Sequence, residues 1–493
     1  MATKNEFAFP ERVNNWIGGR EVEPSGGEFF ENLNPHNGQS VCRVARSTGA
    51  DVQKAVEAAK IALNGWAKTP AVQRGQILFD IAQRMQARQR EIATAVALET
   101  GKSFKDAMGE TGAAIAQAFF MAGEGTRMFG RTTVSGVANR QPMIVREPVG
   151  VCALIVAANT PIANVAWKTF PALICGNTAI LKASEDTPLT AWLFSQIIHE
   201  SALPAGVLNV VQGYGREVGA ALVENPEIPL ISFTGSTEVG RYIARLAGGR
   251  LARTFLELGG KNPMVICDDA DLENALKWAL LSSFSNAGQR CAASSRIIVF
   301  DSVYEKFKEM FIAATNKLKV GNGDQDDLGP VINERQLNNM LKAVQEAVTT
   351  GAKVLVGGHR LTDESHAGGS YLAPTILENV DPQDAISQNE LFGPITCLYR
   401  AKDFEHAVQI SNSIEYGLTS AIHTRNYNRA IEFSRRIEAG VVSINAGTHG
   451  SEPHMPFGGI KNSGAGGREP GPEALDVYTN LKVISHNVDP MGV

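Results

Sequence analysis

Two short segments carry side chains that can do covalent chemistry together. Cys291 lies in Phe284-Ser285-Asn286-Ala287-Gly288-Gln289-Arg290-Cys291-Ala292, and Glu257 lies in Leu256-Glu257-Leu258-Gly259-Gly260-Lys261-Asn262-Pro263. A thiol adds to a carbonyl carbon, and a carboxylate held near it activates a water that hydrolyses the resulting thioester. The chemistry such a pair implies is oxidation of an aldehyde to an acid. Cys291 follows a polar turn whose Arg290 would lower a thiol pKa. Cys152, Cys175, Cys267 and Cys397 sit instead among Val, Leu, Ile or Thr and read as packed core thiols.

Other candidates have two readings each. Phe233-Thr234-Gly235-Ser236-Thr237-Glu238-Val239-Gly240 closes a strand and opens a helix, where free N–H groups can hold a pyrophosphate. Its glycine spacing is not GxGxxG, and an ordinary capped turn would look the same. Lys182 and Glu185, at the end of another strand, can bind ribose hydroxyls or can simply begin a helix at Thr187-Pro188. Asn159, before Thr160-Pro161, is a polar amide at a strand exit or a turn residue. The loops around Glu390-Leu391-Phe392 and Pro456-Phe457 say little alone.

The elements that must position these groups follow from length and pattern. The 493 residues predict two or three domains of roughly 150 residues each. A composition of 44% apolar and 20% charged residues is that of a soluble globular chain, and a net charge of -5 gives no basic field for nucleic acid. The first residues, Met1 to Glu6, lack the apolar core of a secretion signal. No apolar run reaches the ~18 residues of a membrane span. Six cysteines without a CxxC pair argue against a zinc site and a disulfide framework, so a cytoplasmic enzyme with reduced thiols is expected.

Residues 50 to 129 read as helices, with apolar residues at three and four spacing in Val52, Ala55, Val56, Ala59 and in Ile77, Leu78, Ile81, Met85. Arg131–Gly136 and Met143–Arg146 read as a projecting hairpin. From residue 149, apolar strands at 150–156, 178–182, 206–211 and 230–235 alternate with helices. That rhythm implies right-handed crossovers and a parallel sheet covered on both faces. Strands at 296–300 and 440–445, with helices after Ser302 and Asn333, predict a second α/β domain. The tail from Ala474 through Ser485 alternates weakly and suits addition to a neighbour's sheet edge.

Taken together, the segments LELGGKNP, GQRCAASSR, FTGSTEVG, NELFGPI and MPFGGIKNSGAGGRE, in that order, resemble the aldehyde dehydrogenase superfamily over about residues 15 to 485. The resemblance implies an α/β fold with three parts. A Rossmann-type doubly wound cofactor domain would comprise 1–128 and 147–256, a catalytic α/β domain 257–450, and a small β oligomerisation element 129–146 and 470–493. It implies Cys291 as nucleophile, Glu257 as general base, and Asn159 as oxyanion donor with the Cys291 backbone N–H. Lys168 and Glu469 take the supporting proton-relay positions. Lys182 and Glu185 would bind the adenosine ribose, Gly235, Ser236 and Gly240 would shape the pyrophosphate site, and Glu390 with Phe392 would hold the nicotinamide ribose. The cofactor implied is NAD, with NADP possible, and the assembly a homodimer or homotetramer.

Departures from the family pattern fall around the substrate. Ala157-Ala158 replaces a common Pro-Trp, and Thr160, Ala163 and Asn164 stand where bulky apolar groups are frequent, which predicts a roomier, more polar tunnel together with Trp167 and Phe457. Arg290 suggests an ω-carboxylated semialdehyde such as 2-oxoglutarate or succinate semialdehyde, although a structural ion pair or an outward-facing side chain would also explain it. Aromatic or hydroxylated aldehydes are the alternative substrates. A dehydrogenase that passes the acyl group to CoA would lack Glu257, and a catalytically silent relative would have lost Cys291, Glu257 or Asn159.

Overall fold

The computed structural model describes residues 7–488; the expected signal-free start at 1–6 and the last five residues of the oligomerisation element lie outside them. An eight-stranded sheet runs in the order Gly464–Ala465, Arg253–Glu257, Leu230–Thr234, Val151–Ile155, Thr178–Lys182, Leu208–Val210, Asn15–Ile17, Arg20–Val22. Its five inner members, from Arg253–Glu257 to Leu208–Val210, are parallel. Every residue of Val151–Ile155 and Thr178–Lys182 is buried, as a sheet covered on both faces requires. The antiparallel edges were not apparent in the sequence. Asn15–Ile17 and Gly464–Ala465 are three and two residues long, the latter in a glycine-rich stretch with little strand propensity.

The chain builds this sheet outward in one direction from Val151–Ile155, then returns to add Leu230–Thr234 on its other side. The order therefore reverses between those two neighbours, and in an open parallel sheet the crevice beyond the carboxyl ends at such a reversal is the ligand site. Asn159 follows one strand and Gly235 the other.

A second sheet runs Lys353–Val356, Thr375–Glu378, Ile395–Ala401, Ser294–Phe300, Asn262–Ile266, Thr419–His423, Val441–Ile444, parallel except at its first edge. The two sheets are joined by Leu258-Gly259-Gly260-Lys261, which links strand Arg253–Glu257 to strand Asn262–Ile266. The C-terminal strand Thr479–Asn487 is the edge of a three-stranded sheet. It pairs over its full length with Arg140–Pro148 of its own chain, which also pairs Arg131–Thr132. Alternation shows that a strand forms but carries no information about which edge receives it.

Helices Gly49–Lys68, Ala71–Ala87, Gln89–Thr100 and Phe104–Gly123 supply the first layer of cover. Thr48 and Asp51 form a local capping box on the first of them. Helix Pro188–His199 is capped differently. Its N-cap residue Thr187 makes no side-chain bond, and the buried Glu99 reaches in from helix Gln89–Thr100 to accept Leu189 N–H at 2.6 Å and Thr190 N–H at 2.9 Å. Among the described residues no helix is long and apolar enough to cross a membrane. Replacing Glu99 by Ala leaves those donors unpaired in the core, and a loss of about 2–3 kcal/mol is expected in chemical denaturation. An unchanged midpoint would show that the cap contributes nothing.

Candidate active site

The segment that carries Cys291 leaves helix Leu272–Phe284 through three consecutive left-handed residues, Asn286 (φ 54), Ala287 (φ 52) and Gly288 (φ 66). For Asn and Ala that conformation is strained, and it persists where surrounding contacts dictate it. Here Asn286 Nδ2 bonds the carbonyls of Gln289 at 3.2 Å and Asn159 at 3.3 Å, while a Cβ at Gly288 would strike the Gly393 carbonyl. Asn262, the first residue of the second sheet's strand, fixes the far side. Its Nδ2 bonds the carbonyls of Cys291 at 2.7 Å and Ala293 at 2.8 Å. A Cβ at Gly260 would overlap the Cys291 carbonyl, so the glycine is what lets the Glu257 and Cys291 segments touch.

Cys291, Glu257 and Asn159 all line one cavity of about 780 Å³ between the sheets. Thr160, just before helix Pro161–Ile174, and Ala163, Asn164 and Trp167 within it contribute to its wall, with Phe457 packed on Trp167 at 5.6 Å between ring centroids. Asn164 also reaches toward Asn159, its Nδ2 lying 3.5 Å from Oδ1. That contact orients the Asn159 amide so that Nδ2 donates to the Gln289 carbonyl at 3.1 Å, one of the two N–H bonds an amide can offer.

Arg290 lines the same cavity, and among the described residues its guanidinium makes neither ion pair nor hydrogen bond; Nε is buried without a partner. Of the alternatives for this residue, a structural ion pair is absent among the described residues. His449, from the variable loop after strand Val441–Ile444, shares the wall and lies 3.3 Å from Ser282 Oγ through Nδ1.

Burial dominates the electrostatics. It raises Glu257 to about 8, with Lys168 opposing and Glu469 adding to the shift. Glu257 Oε1 has no hydrogen-bond partner among the described residues, which leaves it an acceptor for a water in the cavity. The Cys291 thiol is also pushed well above its ordinary value, first by burial and then by the charges of Glu257 and Glu390, which outweigh Arg290. The expectation of a depressed thiol pKa is therefore corrected: burial and the neighbouring carboxylates favour the protonated thiol. Behind Glu257 runs a buried chain in which Lys168 Nζ lies 2.8 Å from Ser232 Oγ and 3.1 Å from Glu469 Oε2, and Tyr478 donates to Glu469 Oε1 at 2.6 Å.

The expected cofactor residues divide. Gly235, Ser236, Glu390 and Phe392 line the cavity, whereas Lys182, Glu185 and Gly240 do not. Ser236 caps helix Thr237–Gly249 by accepting Val239 N–H at 3.4 Å, and the helix N-terminus, with its remaining unpaired amides, opens at the cavity. Glu390 accepts Gly260 N–H at 2.9 Å and is raised by burial to about 7. Phe392 is held at φ 57. Gly240 serves packing, since a Cβ there would run into the Leu258 side chain. Lys182 Nζ sits 3.1 Å from Glu185; burial works to raise the carboxyl, but Lys182 overrides it and the net shift is downward. An open helix N-terminus, an aromatic at a constrained turn and carboxylates flanking the same crevice fit a dinucleotide.

Sequence reading missed Lys102, Glu110, Asn262 and Asn286. Each acts on a partner remote in the chain, and none breaks a local pattern.

A doubly wound sheet whose ligand crevice opens onto a thiol, a carboxyl and an amide defines an oxidoreductase working through a covalent thioester. The model of the aldehyde dehydrogenase family matches residues 22–484. The chain is 37% identical to the alpha-ketoglutaric semialdehyde dehydrogenase of Bacillus subtilis over 95% of this chain and 97% of that one. It is also 37% identical to the 2,5-dioxopentanoate dehydrogenase of Saccharolobus solfataricus, over 96% and 98%. The structure superposes on betaine aldehyde dehydrogenase of Staphylococcus aureus in complex with NAD+ with a TM-score of 0.95 at 33% identity, covering 98% of this chain and 96% of that one. The chain belongs to the aldehyde dehydrogenase family.

If Glu257 is the base for hydrolysis it must be ionised to accept a proton. With its pKa raised to about 8, deacylation should climb with pH through that value and level off above it. Single-turnover rates across pH 6–10 test this. Glu257→Gln should flatten the profile and let acyl-enzyme accumulate, and an unaltered profile in that variant would exclude the role.

Proposed function

We propose that this enzyme oxidises an aldehyde bearing a carboxylate at its other end, of the 2-oxoglutarate or succinate semialdehyde kind, to the diacid. The observation that carries the substrate class is Arg290, a cation beside the nucleophile that faces the cavity without a counterion. Removing a charge from water without a partner is unfavourable, and a substrate carboxylate supplies the missing acceptor through a charge-assisted bond. The two relatives named for carboxylated aldehydes support the same class.

The chemistry follows from the residues in place. Ionised Glu257 takes the Cys291 proton through a cavity water and releases it before the next step, and the sulfur bonds the aldehyde carbon, while the oxygen's developing charge is met by Asn159 Nδ2 and the Cys291 backbone N–H. Each such donor is worth about 3–4 kcal/mol in the transition state. A nicotinamide held by Glu390 and Phe392 would supply the acceptor for the hydride on this carbon. A thioester on Cys291 remains. Glu257 takes a proton from water, the oxygen attacks the thioester carbon, and the C–S bond breaks to return the thiolate and release the acid. Lys168 and Glu469, whose charges act on Glu257 and which bond each other, are the groups that would pass the proton onward. Glu257 also disfavours the CoA-transferring alternative, which needs no such base.

Glu185, held ionised by Lys182, suits the 2′-hydroxyl of NAD and repels a 2′-phosphate. Residues 7–128 and 147–256 would form the cofactor part, 257–450 the catalytic part, and 129–146 with 470–488 the assembly element. Leu481 and Val483 are 55% and 64% exposed on one face of the C-terminal strand, an apolar surface suited to a second copy and hence to a dimer or dimer of dimers. Six cysteines without a disulfide are in keeping with a cytoplasmic location.

An NADH-release assay over carboxylated, neutral aliphatic and aromatic aldehydes tests the reading, with the carboxylated ones expected to show the highest kcat/KM. Arg290→Met should raise KM for them about 10- to 100-fold, the ~1.5–3 kcal/mol of a hydrogen bond to a charged group, and leave the neutral ones little changed. Equal losses on both would remove the carboxylate assignment. The same assay should favour NAD over NADP in kcat/KM, and a preference for NADP would overturn the role given to Glu185. Cys291→Ala should bind NAD and turn over nothing.

A further inference from the structure

Helix Pro161–Ile174 begins immediately after the Asn159 amide, yet it has no cap of its own. Thr160, at the N-cap position, makes no capping bond, and its Oγ accepts from Asn164 Nδ2 at 3.2 Å. The first free amides are taken instead by Glu110, from helix Phe104–Gly123, whose Oε1 accepts Ile162 N–H at 3.0 Å and Ala163 N–H at 3.4 Å. The other carboxylate oxygen of Glu110 meets Lys102 Nζ at 2.5 Å. The same ammonium donates to the backbone carbonyl of Asn159 at 2.7 Å. Their side chains are 3% and 5% exposed, so the pair is desolvated and held by its own charges.

The turn from Asn159 to Ala163 is thus gripped at both ends by two side chains that bond each other: Lys102 on the carbonyl before the turn, Glu110 on the amides after it. The Asn159 side chain between them is oriented by Asn164 and by the Gln289 carbonyl. Among the described residues the one other hydrogen bond to the Asn159 carbonyl comes from Asn286 Nδ2, at a longer 3.3 Å. We propose that Lys102 and Glu110 are positioning residues that set the Asn159 amide at the distance from Cys291 at which it meets the oxyanion. The inference rests on the oxyanion role given to Asn159 and adds the device that makes that role possible.

Lys102 also lines the cavity, and its third N–H could be read as an anchor for a substrate carboxylate. The two roles separate in kinetics. An anchor raises KM for carboxylated aldehydes alone, whereas a positioning pair lowers kcat for every aldehyde, because the donor it places acts only in the transition state.

The experiment compares Lys102→Met, Glu110→Gln, Asn159→Ala and the double variant Asn159→Ala/Lys102→Met, with succinate semialdehyde and propanal as substrates. Lys102→Met is expected to lower kcat about 10- to 100-fold on both, the loss that a displacement of about 1 Å brings, with KM for NAD within about twofold of the parent. Once Asn159 is removed the Lys102 change should cost nothing further. Glu110→Gln keeps an acceptor for the helix amides and loses the ion pair, so it should lie between the parent and Lys102→Met and guards against a folding defect in the latter. Fully multiplied losses in the double variant, or a KM increase confined to succinate semialdehyde, would overturn the proposal. Near-parental kcat in Asn159→Ala would instead remove the oxyanion reading, and the pair's role with it.

Discussion

Everything at the site depends on one close approach, the carbonyl of Cys291 lying against Gly260. The segment Leu258-Gly259-Gly260-Lys261 is where the chain steps from one sheet to the other, and it has no room for a side chain on its inner face: a Cβ at Gly259 would strike Glu390, and one at Gly260 would strike Cys291. Because Gly260 also donates its N–H to Glu390, three segments far apart in the chain converge on two glycines. The carboxyl of Glu257, the sulfur of Cys291 and the carboxylate of Glu390 are brought together by this joint and by the Asn262 amide that closes it.

Convergence has an electrostatic result. Two carboxyls and a thiol in a cavity walled by Trp167 and Phe457 cannot all ionise, because burial penalises each charge and each anion opposes the next. The site at rest therefore keeps protons on groups that chemistry needs without them. Arg290 is the complementary imbalance, a positive charge with no fixed anion. The incoming substrate and cofactor complete the charge set, so binding and activation are linked through the same few groups.

The chemistry was far more legible in the sequence than its support. Cys291, Glu257 and Asn159 stand in short segments whose residue types declare a function, and the parallel sheets follow from apolar runs separated by helices. Lys102 and Glu110 carry no such signature. Gly101-Lys102-Ser103 reads as loop before a helix, and a glutamate in a helix reads as solvated face; only the packing of Phe104–Gly123 against Pro161–Ile174 turns one into a cap and the other into its counterion. The direction of Arg290 and the thiol's raised pKa were equally beyond local pattern, since both are set by what surrounds the residue in space. Edge strands of two or three residues were lost for the opposite reason, too little pattern to read.

Glu99 and Glu110 share a consequence for how the molecule is made. Helices Pro161–Ile174 and Pro188–His199 both start at a Thr-Pro step and both borrow their N-terminal acceptor from a glutamate 52 and 90 positions earlier. Those glutamates precede the amides in the chain, so each helix start gains its acceptor only when an upstream helix packs against it. A fragment starting at the first crossover strand would therefore lack the acceptors of both helix starts.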